Sequence, residues 1–224
     1  GLLVLLYVPF AGNYGLWDPW ETHYGEVARQ MVERNDWISL WWPGSPNDRV
    51  TFWSKPVLTF WFMAASMKLF GLGQPGPAHA AEMTQGWAAE WALRMPGVLL
   101  GILGVWAVFH LVRRVAGRGA ALWAGLVLGT STQWALISRQ AMTDMAFVAP
   151  MTVAVCYAGL ALLLPDEEVR RDLPRRGRRI AGRLIDWPQD RAFYGVLALF
   201  VGCVLPQLLV FLAQQGRFTF VFAG

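Results

Sequence analysis

The chain has 224 residues, 55% of them hydrophobic and only 15% charged, with a formal net charge of +4. Soluble domains carry roughly a quarter of charged residues, so an ordinary soluble fold is excluded. Two cysteines and three scattered histidines (His23, His79, His110) exclude a disulfide framework and any zinc site of familiar spacing.

Taken in order, residues 1–12 are apolar and read as the end of a first span. They lack the basic start and small-residue cleavage site of a signal peptide. Gly1 and the Phe222-Ala223-Gly224 end read as cuts in a longer protein. Residues 13–94 form a long polar and aromatic stretch. Four runs free of Asp, Glu, Lys and Arg follow, at 95–112, 119–137, 145–164 and 193–214, each near the ~20 residues a bilayer-spanning helix needs. Cys156 and Cys203 lie inside these runs and read as small buried hydrophobes. The expected fold is all-α, a polytopic transmembrane helix bundle in one domain over 1–224.

Topology follows from charge. Arg113, Arg114 and Arg118 sit in one link, and seven Arg against Asp172 fall between Arg170 and Arg183 in the loop 165–192. Lys and Arg gather on the cytoplasmic side, which puts both links inside, separated by two spans. Contact with anionic lipid explains the second; for nucleic acid it lacks interleaved aromatics. The link 138–144 and the stretch 13–94 then fall outside. Residues 56–71 are apolar but short and are interrupted by Lys68, so they are expected to lie along the membrane; a sixth span is the alternative. Phe52, Trp53, Phe60, Trp61 and Phe62 would form an interfacial aromatic belt.

The external stretch opens with Asp18-Pro19-Trp20-Glu21, a helix-start signal with Asp as N-cap, Pro first and Glu third. Trp20, Tyr24, Val27, Ala28, Met31 and Val32 recur at helical spacing as one apolar face. A juxtamembrane helix over about 19–34 is expected, ended by Asn35-Asp36, and a second over about 56–71. Seven of the thirteen Trp lie between Trp17 and Trp61, which suits a headgroup zone or a sugar- or lipid-binding surface.

Three charged clusters share this external face: Asp18 with Glu21, Lys55 before Pro56, and Arg139 with Asp144. Carboxylates can take a proton from an acceptor hydroxyl, and Lys and Arg can hold and neutralise a phosphate leaving group. Each also has a plain structural reading. Asp18 and Glu21 make a capping box, Lys55 snorkels, and Arg139 with Asp144 makes an interfacial ion pair. A transporter or assembly component is the rival function. It would place ionisable groups near the midplane, whereas here they gather at the ends of the spans.

The segments Leu16-Trp17-Asp18-Pro19-Trp20-Glu21-Thr22-His23-Tyr24-Gly25-Glu26, Asn35-Asp36-Trp37 and Phe52-Trp53-Ser54-Lys55-Pro56-Val57-Leu58-Thr59-Phe60-Trp61 resemble the first external loop of GT-C glycosyltransferases. The nearest resemblance is to the protein O-mannosyltransferases and bacterial lipid A aminoarabinose transferases. Ser138-Arg139 with Asp144-Met145 resembles the second external loop, and Arg94-Met95-Pro96-Gly97 resembles the family's Arg-Leu-Pro-Ser. The resemblance implies transfer of a sugar from a polyprenyl-phosphate donor to an external protein or lipid acceptor, in the bacterial inner membrane. It implies a first-loop carboxylate, either Asp18 or Glu21, as the catalytic base or acceptor-orienting group, and Asp144 as a second functional acid. It implies Lys55, His23, Tyr24 and Arg139 as substrate-binding residues, with Lys55 on the donor phosphate. A divalent metal is possible on the two acid loops, although hard cations usually take more oxygen ligands. Three positions depart from the pattern. The family's first acid falls on Trp20, His23 stands where relatives carry a phosphate-binding Arg, and Val57 replaces a Pro.

Overall fold

A computed structural model describes residues 1–9, 11–42, 52, 55–72, 87–163, 178–180, 183–185, 197–198 and 200–215. Trp53, Ser54, His79, Asp48, the Cys203 side chain and most of the basic loop 165–192 lie outside the described residues. The fold is a helix bundle. Helix α1 spans Leu2–Tyr7, α2 Trp20–Glu33, α3 Val57–Leu69, α4 Trp87–Thr130, α5 Thr132–Ser138 and α6 Asp144–Leu163. A π-wound turn, Phe200–Val204, runs into α7, Leu205–Gln215, with Pro206, which has no N–H to donate, just past the changeover. Among the described residues, the one addition to the all-helical expectation is a short antiparallel hairpin in the basic loop, Arg178–Ile180 paired with Arg183–Ile185.

Helix α4 is two arms. Gly117 sits inside it with φ 86° and ψ 176°, outside helical geometry, a conformation glycine adopts without steric cost. The chain folds back there. Gly125 faces Phe109 and Gly129 faces Val105, pairs placed symmetrically about Gly117, so the arms 87–116 and 118–130 run antiparallel. The turn falls inside the Arg113–Arg118 link. The second arm does not continue to 137. Thr130 Oγ1 donates to Leu126 O at 2.7 Å and Ser131 Oγ to Leu128 O at 2.9 Å. Such back-bonding competes with the helix ladder, and Ser131 turns extended before α5 begins. The first arm starts earlier than expected, at Trp87, so Arg94 stands on its second turn.

Helix α6 returns alongside the first arm. Ala107 clusters with Val153 and Cys156, and Gly159 faces Leu111. The link 139–143 therefore sits at the Arg94 end of the bundle, and the turn at Gly117 sits at the other, together with the C-terminal end of α6. The outer faces are apolar: Leu99, Leu103 and Trp106 on α4, and Phe147, Met151 and Val155 on α6, are exposed. An apolar belt of this extent is unusual on a soluble monomer, and it suits a bilayer.

Helices α2 and α3 pack on the Arg94 end. Tyr24, Val27, Ala28, Met31 and Val32 of α2 are buried with Phe60, Met63 and Met67 of α3 and with Ala92 and Leu93 of α4. Trp20 departs from the expected apolar face and is exposed. The helix ends where Asn35 takes φ 51°, a left-handed stop that Asn tolerates. Asp36 then accepts N–H groups of Ile38 and Ser39 at 3.0 and 2.9 Å. Helix α3 has 13 residues, about 20 Å long at 1.5 Å per residue, short of the ~30 Å hydrocarbon core. The expected aromatic belt is only partly formed. Phe60 and Phe52 are buried, meeting edge-on at 5.6 Å, because they fill the α2–α3 interface. Trp61 is half-buried and donates its indole N–H to Trp37 O at 2.6 Å.

Candidate functional site

The centre of the Arg94 end is an ion pair that the sequence reading did not foresee. Arg94 is 0% exposed and Glu21 is 1% exposed. Arg94 Nε donates to Glu21 Oε1 at 2.9 Å and Nη2 to Oε2 at 2.7 Å. Its other donors reach the carbonyls of Ala11, Tyr14 and Gly15, each at 2.8 Å. All donors of the guanidinium fork are used. The Tyr14 ring lies against it, 3.9 Å from Arg94 Cζ to the ring centroid. Glu21 is equally saturated. Oε1 also accepts the Ala141 N–H at 2.6 Å, and Oε2 accepts the Trp17 N–H at 2.8 Å.

This knot ties three pieces of chain: residues 11–21, the start of α4, and the connector 139–143. Burial pushes the Glu21 carboxyl upward, but the Arg94 guanidinium and the Ala141 and Trp17 N–H groups outweigh it and hold the pKa below its ordinary value. Glu21 is thus ionised with its oxygens occupied. That geometry suits a residue that positions its neighbours better than one that takes a proton.

Close packing brings the connector down on α4. A Cβ at Gly97 would come within 3.0 Å of Ser138 O and 3.2 Å of Gln140 O, and one at Gly101 would collide with the Ser138 side chain. These small residues let backbones approach, as they do between membrane helices. Trp134 Nε1 donates to Gly101 O at 3.3 Å on the same seam.

The remaining candidates fall into three sets, the last being Arg139 alone. Asp18, Lys55 and Asp144 are exposed. Asp18 caps no backbone N–H: α2 begins after Pro19, and Asp18 Oδ1 instead accepts the Thr22 hydroxyl at 2.9 Å. Asp144 opens α6 and makes no ion pair with Arg139, since the described salt bridges are Arg29–Glu26, Arg29–Glu33 and Arg94–Glu21. His23 and Tyr24 belong to an aromatic group. The His23 ring stacks on Trp42 at 3.8 Å and lies 5.0 Å from Phe52, and Tyr24 meets Phe60 edge-on at 6.0 Å. Burial lowers the His23 pKa, and its Nε2 is buried without a hydrogen-bond partner.

Arg139 follows α5 and borders a cleft of about 480 Å³. One wall is the face of α5 carrying Thr132, Ala135 and Leu136; the other is Tyr14 and Trp17. Glu21 and Gln140 reach its base, so Glu21 and Arg139 are the two predicted residues that this cleft brings together. The Tyr14 hydroxyl donates to Arg139 O at 3.1 Å, and Arg139 Nη2 reaches Pro9 O at 3.4 Å. Arg139 Nε is buried and has no partner. Among the described residues, no three His, Cys, Asp or Glu side chains gather as a metal-holding group.

Sequence reasoning missed the role of Arg94, the Tyr14 contact and the Gly97–Gly101 seam. The one local signal was the glycine spacing, which is that of a small-residue helix contact.

Residues 80–170 match the profile of the dolichyl-phosphate-mannose-protein mannosyltransferase family. The chain is similar to the undecaprenyl phosphate-alpha-4-amino-4-deoxy-L-arabinose arabinosyl transferase of Edwardsiella ictaluri, 32% identical over 157 residues, covering 69% of this chain and 24% of that protein. A Pseudomonas fluorescens enzyme of the same name is 30% identical over 86 residues, 38% of this chain and 15% of its own length. The chain therefore spans about a quarter or less of the curated relatives it matches. Among solved structures, ArnT from Cupriavidus metallidurans in the apo state superposes with a TM-score of 0.63 at 22% identity, over 98% of this chain and 35% of that one. The same protein bound to undecaprenyl phosphate gives 0.64 at 20% identity, over 95% and 34%. The bundle is that of a GT-C membrane protein, and the chain resembles the aminoarabinose transferase family.

Proposed function

We propose that the chain is part of a membrane glycosyltransferase that moves a sugar from a polyprenyl-phosphate donor to an external protein or lipid acceptor. The protein would sit in the bacterial inner membrane with the Arg94 end facing outward, where the acids gather, and the Arg113–Arg118 turn facing the cytoplasm. One observation supports this most. The first loop and the connector 139–143 are bonded at one end of the bundle, through Glu21 Oε1 and the Ala141 N–H at 2.6 Å, beside a cleft bordered by a cation. The similar proteins are named for that chemistry, and the Cupriavidus metallidurans protein that shares the fold binds undecaprenyl phosphate.

In this reading the acceptor oxygen attacks the sugar's anomeric carbon. The bond from that carbon to the phosphate oxygen breaks, and polyprenyl phosphate leaves with the electron pair. Direct attack inverts the anomeric centre. The acceptor proton goes to Asp18 or Asp144, whose carboxylates are exposed; Glu21, locked by Arg94, holds the loop in place. Lys55 neutralises the donor phosphate as it leaves, and His23 flanks the donor, while Tyr24, buried against Phe60, supports it from beneath.

The test is a transfer assay on the whole protein in vesicles, with a panel of polyprenyl-phosphate sugars and mixed lipid and peptide acceptors. Transfer from at least one donor is expected. A protein that binds none of the donors and transfers none would overturn the reading.

A further inference from the structure

We infer that the end of α3, Lys68 to Phe70, together with Trp37 and Ile38, is a foot set into the surface of the outer leaflet, where Lys68 meets the phosphate of an anionic phospholipid. This placement rests on the orientation proposed above and not on the transfer chemistry.

A helix that lies flat on a membrane keeps an apolar face free along its length. Helix α3 does not: Val57, Leu58, Phe60, Met63, Ala64 and Met67 are all buried. Only its last turn leaves the core. Leu69 is 86% exposed, the most exposed of the large apolar side chains described, and Phe70 and Ile38 are 43% and 46% exposed. The backbone builds this in. Gly71 takes φ 74°. Its N–H donates to Lys68 O at 3.1 Å and the Leu72 N–H to Met67 O at 2.8 Å, the paired bonds of a glycine helix stop. The stop turns Leu72 back onto the core and leaves Leu69 and Phe70 outside it. Trp37 is held as well, because its carbonyl accepts the Trp61 indole N–H at 2.6 Å.

Charge says what the foot stands on. Lys68 Nζ lies 4.7 Å from the Trp37 ring centroid, and Arg34 Cζ lies 4.6 Å from that of Trp41. Both cations are exposed, and neither belongs to a described salt bridge. The nearby acids are engaged. Glu33 pairs with Arg29 at 2.6 Å. Asp36 accepts the N–H groups of Ile38 and Ser39 and lies within reach of the Arg34 charge. Among the described residues of this patch, Lys68 is left without an acid. Indoles, aliphatic tips and a cation in one patch are the makeup of a membrane interface, and a cation there draws anionic headgroups. The depth fits too. Phe62 and Met63 share a small pocket with Pro96 and Leu100 of α4 and Met145 of α6, where the apolar runs 95–112 and 145–164 begin. Leu69 is about 10 Å along the helix from Met63. A protein partner would have to bring its own acid to Lys68, whereas the bilayer presents phosphates at this level.

The experiment places benzoylphenylalanine, a photocrosslinking side chain, at Leu69 or at Phe70 of the whole protein, in nanodiscs of equal parts phosphatidylcholine and phosphatidylglycerol. Mass spectrometry of the crosslinked peptide reads what was touched. Lipid adducts are expected at both positions, with phosphatidylglycerol outnumbering phosphatidylcholine about fivefold, the preference that one interfacial cation sets. Lys68→Glu should abolish that preference, and Lys68→Arg should keep it. Adducts to this chain, to a second copy or to another protein in place of lipid overturn the foot. Equal adducts of the two lipids in the wild type, or a preference indifferent to Lys68→Glu, overturn the anionic headgroup. Sugar transfer measured on the same discs separates the two readings. Transfer without lipid adducts sinks this inference alone; lipid adducts without transfer from any donor sink the proposed function alone.

Discussion

Replacing Arg94 with Gln removes a cation from a place where everything around it has been arranged for one. Five hydrogen bonds are lost, three to the carbonyls of Ala11, Tyr14 and Gly15 and two to Glu21. Glu21 remains at 1% exposure with only the N–H groups of Ala141 and Trp17 for company. Removing one partner of a buried pair typically costs about 3–5 kcal/mol, because the other charge is stranded. The control is Arg29→Gln. Arg29 bridges Glu26 at 2.7 Å and Glu33 at 2.6 Å, but all three side chains keep contact with water, at 18–28% exposure, so the cost should be roughly 1 kcal/mol or less. Thermal unfolding of the whole protein in one detergent would compare the two variants. The double variant Glu21→Gln/Arg94→Gln should be less destabilised than the sum of its singles, since each single strands a charge and the double strands none. Equal losses for Arg94→Gln and Arg29→Gln, or strict additivity in the cycle, would refute the assignment of the knot as a buried, mutually dependent pair.

Three further outcomes follow from the same geometry. The Glu21 pKa is depressed from 4.5, so its contribution to stability is complete above that value and is lost as pH falls through the folded pKa; Glu21→Gln should flatten stability across that acid window. The His23 pKa is lowered from 6.5 by burial, so stability from the neutral ring is complete above 6.5 and declines as pH falls below it. His23→Phe should remove that decline while keeping the stack on Trp42, whereas His23→Ala should cost about 1 kcal/mol. Gly97→Val would push a side chain into the Ser138 and Gln140 carbonyls, which approach to 3.0 and 3.2 Å. Overpacking of this kind costs about 1–3 kcal/mol, and it should show as increased protease access to the connector 139–143.

Much of this architecture was legible because its driving term is local. A span must be apolar along its length, so hydropathy marked α4 and α6, and the arginines between apolar runs marked the fold-back at Gly117. The three- and four-residue spacing from Tyr24 to Val32 likewise marked the buried face of α2. What stayed hidden depends on partners distant in sequence. Arg94 and Glu21 are 73 residues apart, and nothing near either one says that they meet. Phe52 and Phe60 looked interfacial because an aromatic side chain reads the same whether lipid or another helix covers it. The break at Ser131 depends on two hydroxyls turning back on their own helix, a choice that composition does not announce. At the candidate site, the residue types were visible and their division of labour was not: saturation of Glu21 is a property of four donors converging from separate segments.

The measurement closest to the central claim is the donor dependence of sugar transfer by the whole protein, for wild type, Lys55→Ala and Asp144→Asn. The account predicts that Lys55→Ala raises the donor KM, because a cation that holds the phosphate is lost, and that Asp144→Asn lowers kcat, because a carboxylate facing the acceptor is lost. Wild-type kinetics in Lys55→Ala, or an unchanged kcat when Asp144→Asn is combined with Asp18→Asn, would contradict it.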